Sequence, residues 1–149
     1  MNFSNTRFSE RNALLAAINP VSQGVGTAVS GWVQVSGFSE IVALLKVGAF
    51  GASATVDAKF QQATSSGGAG AKDVTGKAIT QLLAAGGNNR QAILQVREED
   101  LDTNNGFYFV QFSVTVGTAA TLIAADVLGA LPTYKPGSAS NAASVAQVV

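Results

Sequence analysis

At 149 residues the chain is the size of one domain, long enough to bury roughly 68–70% of its unfolded surface in a core of its own. Hydrophobic residues make up 47% and charged residues 12%, with nine Lys plus Arg against nine Asp plus Glu; the surface must then be largely Ser, Thr, Asn, Gln, Gly and Ala, and a neutral surface of that kind favours association over colloidal repulsion. The chain has no Cys and no His, which excludes disulfides, thiolate metal sites and a Cys nucleophile, and removes the usual near-neutral general base, so no enzymatic activity and no cofactor are expected.

The N-terminal stretch MNFSNTRFSERN is polar where a signal peptide would be apolar, so no leader is expected. From Ser9 to Ile18 two readings stand side by side: a short helix capped by Ser9, or an extended arm. Asn19 and Pro20 stop a helix early, and Gln23–Thr27 (QGVGT) reads as a joint. Val29, Gly31, Val33 and Val35 then alternate with Ser30, Trp32, Gln34 and Ser36, which predicts a strand. Trp32 falls on its polar face and is expected to pack against a neighbouring strand or a chain terminus.

The run Ile41–Val47 (IVALLKV) is apolar on both faces except at Lys46, as in a central strand. Ala54, Val56, Ala58 and Phe60 alternate with Thr55, Asp57, Lys59 and Gln61, and this half-buried strand ends in the glycine-rich stretch Thr64–Lys72. Gly67, Gly68 and Gly70 match neither phosphate-binding fingerprint, so a flexible hairpin or interaction loop is expected there. Thr75–Leu83 is assigned to a strand in preference to a short helix, because Gly76 would weaken the helix start and the segment leads through Gly86–Asn89 into the alternating run Gln91–Arg97.

Glu98–Asp102 forms an acidic corner closed by Asn104, Asn105 and Gly106. Asp100, Asp102 and Asn104 imitate the opening of a calcium loop, but the glycine comes one position late and Gln111 stands where the bidentate Glu belongs, so no metal site is assigned. Tyr108, Val110, Phe112, Val114 and Val116 mark the clearest strand, and Thr121–Leu131 the last one before Pro132. The longest apolar candidate for a membrane span, Ala119–Leu131, is too short to cross a bilayer and contains Asp126. The tail 133–149, rich in Ser, Ala and Asn, has no periodic apolar face and reads as an arm. The basic residues are scattered from Arg7 to Lys135, which supports no nucleic-acid groove, and no membrane partner is expected.

The pattern amounts to seven strands, or eight if part of Asn12–Val21 joins a sheet, with turns every 8–12 residues: an all-β antiparallel β-sandwich. Its expected division is an N-terminal arm at 1–28, the sandwich at 29–131 and a C-terminal arm at 132–149.

The order of three segments carries a resemblance. Lys59–Lys72 (KFQQATSSGGAGAK), Val96–Val110 (VREEDLDTNNGFYFV) and Ser113–Thr118 (SVTVGT), preceded by Asn19, Pro20, Val21 and Ser22, resemble the cement or head decoration proteins of tailed bacteriophages. The resemblance covers most of the chain and includes no catalytic motif. It implies a jelly-roll-like sandwich with extended arms, a structural virion protein on the outer capsid surface that bridges neighbouring major capsid proteins. The implied partners are the major capsid protein and further copies of the chain, a dimer ahead of a trimer. On this reading Phe3, Phe8, Leu14, Leu15 and Ile18 anchor the N-terminal arm, and Tyr134, Val145, Val148 and Val149 the tail. The rival reading is a carbohydrate-binding or adhesion module using Trp32, Tyr108 and Tyr134; a tail or fibre component is a third.

Overall fold

The computed structural model describes residues 5–134 and 136–149. Among these residues a single helical turn, α1 (Phe8–Arg11), is followed by ten strands: β1 (Asn12–Gln23), β2 (Gly26–Val29), β3 (Val33–Gln34), β4 (Phe38–Val47), β5 (Thr55–Ala63), β6 (Lys72–Ala78), β7 (Leu82–Leu83), β8 (Arg90–Val96), β9 (Phe109–Gly117) and β10 (Thr121–Pro132). One sheet has the order β1-β10-β4-β8, the other β2-β9-β5-β6, with β3 continuing the β2 edge along β9 and β7 pairing with β5. All the pairings are antiparallel. The order has a simple origin. Early and late strands pair as a long ribbon, β1 with β10, β2 and β3 with β9, β4 with β8, β5 with β6 and β7. Rolling the ribbon sets β10 beside β4 and β9 beside β5. This is the jelly-roll form of the antiparallel sandwich.

The period-2 pattern places the core. Val56, Ala58 and Phe60 of β5 and Val110, Phe112, Val114 and Val116 of β9 face inward against Ile41, Ala43, Leu45 and Val47 of β4 and Ile123, Ala125 and Val127 of β10. Phe60 and Phe112 are register partners, fully buried, with ring centroids 5.4 Å apart at 59°, a tilted arrangement that suits the charge distribution of two aromatic rings. Truncating either ring should cost about 3–5 kcal/mol.

Several boundaries differ from the sequence expectation. Asn12–Gln23, expected within the N-terminal arm, is a 12-residue edge strand on β10, and Gly26–Val29 belongs to the other sheet; part of Asn12–Val21 thus joins a sheet, and the strands number ten among the described residues, above the seven or eight expected. The break signal at Asn19 and Pro20 is accommodated as a register shift between Ile18 and Val21: an edge strand can lose a donor without leaving a ladder bond unmade. The strand expected over Val29–Val35 is split, because Gly31 takes φ 88° and Ser30 instead bonds Phe112 twice, its N–H donating to the carbonyl at 2.9 Å and its Oγ accepting from the amide at 3.0 Å. The strand assigned to Thr75–Leu83 starts at Lys72, reaches Ala78 past Gly76 at φ 75°, and resumes as β7. Tyr108 lies just outside β9 and is 37% exposed, while the rest of its apolar set is buried.

Candidate docking surface at the joined termini

The tail returns to the start of the chain. A single-turn 3₁₀ helix, Gly137–Ala139, sits on α1, β1 and β10, and Gly137 approaches so closely that a Cβ there would stand 2.9 Å from the Asn12 carbonyl carbon. Farther on, the Asn141 side-chain amide donates to the carbonyl oxygens of Leu14 at 3.1 Å and Leu15 at 3.0 Å. Those carbonyls flank the register shift between Leu14 and Ala16, where β1 bulges and its groups would otherwise lack partners. Asn12 in turn caps α1, its amide donating to the Phe8 carbonyl at 3.1 Å. A second 3₁₀ turn, Ala142–Ser144, carries the chain to Val145.

Between these pieces lies a cleft of about 200 Å³, lined by Phe8, Asn12 and Leu14 from the start of the chain and Asn141, Val145 and Val148 from its end. Val149 adjoins Phe8 and Val148 on the neighbouring surface. The sequence treated the termini as two separate arms; the structure makes them one apolar surface. Four of the proposed anchors line the cleft. Phe8 is 63% exposed and Val148 62%, whereas Val145 is half-buried.

The remaining anchors lie elsewhere. Ile18 is 6% exposed and belongs to the core, whereas Leu15 is half-buried and packs against that core. Alternation along β1 accounts for Ile18: it pairs with Ala125 on the inward face. Tyr134 is exposed but apart from the cleft lining. Phe3 lies outside the described residues.

The glycine loop is fastened rather than free. The amides of Gly67 and Ala69 donate to Ser65 Oγ at 3.3 and 3.2 Å, and the Thr64 N–H donates to the Ala69 carbonyl at 3.0 Å. Gly68, at φ 82°, lies against the Trp32 indole, where a Cβ would stand 2.6 Å from Nε1; only glycine satisfies both the angle and the contact. Trp32 thus packs on this loop. Lys72 closes it, with Nζ 4.1 Å from the Phe107 ring centroid and 2.6 Å from Asp102.

The acidic corner has the same character. Asp102 also accepts from Asn105 at 2.8 Å, and its own N–H donates to Gln62 Oε1 at 2.8 Å. Asp100 accepts from the Arg97 N–H at 2.8 Å and pairs with Lys77 at 2.9 Å. The Lys72 hydrogen bond holds the Asp102 carboxyl below its ordinary value. At Asp100 burial pushes the other way and is outweighed by the Arg97 amide and Lys77. Asp73 is lowered chiefly by its hydrogen bond from Lys59. These carboxylates pin β5, β6 and the acidic corner together.

No protein-family model matches the chain, and no curated protein matches it in sequence. Among solved structures it is similar to a CBM4 protein, at 16% identity over 72% of this chain and 61% of that one, with a TM-score of 0.43. It is also similar to the SPBc2 prophage-derived protein YomS, at 13% identity over 79% of this chain and 93% of that one, TM-score 0.40. A Triatoma virus chain gives 11% identity over 91% of this chain and 72% of that one, TM-score 0.45. The chain thus spans 61% of the CBM4 protein's length. Likeness of this degree says nothing of activity.

Proposed function

We propose that this is a structural virion protein that binds the outer surface of a phage capsid and cements neighbouring major capsid proteins. The observation that carries the reading is the apolar cleft formed by Phe8, Leu14, Val145 and Val148, where both ends of the chain meet on a charge-poor sandwich. The ordered segments of the sequence that resemble head decoration proteins support it, as does the logic of a lattice: many copies with modest individual affinity hold strongly when each bridges two subunits.

The experiment is co-sedimentation with empty heads. Removing residues 1–11 together with 142–149 leaves all ten strands in place and should abolish binding while circular dichroism still reports a folded β-protein. Undiminished binding by that variant would defeat the proposal. The glycan-binding reading fares less well, because the Trp32 indole lies against Gly68; a glycan array with no bound sugar is its expected outcome.

A further inference from the structure

Each sheet has two edges, and three of the four are guarded. The β1 edge carries two register shifts, Pro20 and the Asn141 side chain. The β2 and β3 edge is broken into strands of 4 and 2 residues around Gly31. The β6 edge is interrupted by Gly76 and a register shift, and bears Lys72, Asp73 and Lys77. The β8 edge has none of these devices. Its seven residues, RQAILQV, pair with β4 in continuous register without Pro, Gly or bulge, and no charge lies between Arg90 and Arg97. Among the described residues no backbone hydrogen bond joins β8 to a strand other than β4. An edge of that kind is a template for another strand.

We infer that β8 is the interface at which a second copy of this chain pairs, antiparallel and across a two-fold axis at Ile93. The five central residues of the strand, Gln91–Gln95, are complementary to themselves in that register. Gln91 faces Gln95 of the second copy, Ala92 faces Leu94, and Ile93 faces its own equivalent, so each side chain meets one of like character on the same face. Ile93 is 67% exposed on the outer face beside Leu44. Pairing extends that row into Leu44, Ile93, Ile93 and Leu44 across the joint, covering the side chain the single chain leaves in water. At the ends Arg90 falls opposite Val96 of the second copy, and the neighbouring Arg97 is paired within its own chain, with Glu40 at 3.7 Å and Glu99 at 3.8 Å. A two-fold joint at β8 makes a dimer and not a trimer. It concerns the isolated chain, so its test involves no capsid.

Sedimentation of the purified full-length chain should show a dimer. Ile93→Lys places like charges opposite each other at the axis and should weaken association about tenfold or more, with an unchanged β-sheet spectrum because the side chain is exposed. The chain has no Cys, which permits a second test. Ile93→Cys brings two thiols to neighbouring Cβ positions, and copper-catalysed oxidation by dissolved oxygen should join them. Gln91→Cys holds its thiols about 14 Å apart, at ~3.4 Å per residue, and should not couple. A monomeric wild-type chain, a dimer indifferent to Ile93→Lys, or equal coupling of the two Cys variants would each overturn the inference.

Discussion

The two edges of the first sheet are built from opposite materials. β1 is long but interrupted: it bulges at Leu14–Ala16 and at Ile18–Val21, contains Pro20, and is bridged by the tail through Asn141. β8 is shorter, regular and bare. The contrast shows that edge protection is a local property written into particular residues, and that a sheet can have one side closed by its own tail and the other open to a partner. It also explains why β1 resembled an arm. The residues that stop a strand from recruiting neighbours are those that, in a sequence, signal that no strand is present.

The contrast can be broken in several ways. The largest effect is expected from removing residues 1–22, which takes away nearly all of β1 and exposes the long flank of β10. That variant should fail to fold, whereas removal of residues 1–11 should leave cooperative thermal unfolding intact. Next, Ile18→Ala should cost about 2–5 kcal/mol in denaturant titration, as a truncation in the core. Val148→Ala, at an exposed cleft position, should stay within about 0.5 kcal/mol. Equal costs would mean that one of the two is misplaced. Asn141→Ala should lower stability by about 1 kcal/mol through loss of its bonds to Leu14 and Leu15, and should make the β1 edge prone to concentration-dependent association.

Acid gives the smallest effect and falls on one side only. Asp73, Asp100 and Asp102 are held below the ordinary value of 3.8 in the folded chain. Their contribution is therefore complete above that value and is lost as pH falls through the lower folded-state values. Hydrogen exchange at decreasing pH should show β6 and the acidic corner losing protection before β1 does. Simultaneous loss would separate these ion pairs from local stability.

The sheets were legible because one face of each central strand is buried, which forces strict alternation. Val110–Val116 and Val56–Phe60 read correctly for that reason, and the central place of Ile41–Val47 followed from apolar residues on both faces. The fastening of the glycine loop was not legible, since the contact of Gly68 with Trp32 joins residues far apart in sequence. The candidate surface was half legible. Exposed apolar residues near both ends were picked out, but no periodicity could show that Gly137 and Asn141 bring those ends together, or that Ile18 turns inward.

The most direct test of the central claim is a reconstruction of a phage head carrying this protein. Phe8, Leu14, Val145 and Val148 are expected to be covered there by the junction between neighbouring major capsid proteins. A decorated head in which that cleft faces solvent while another part of the sandwich makes the contact would contradict it.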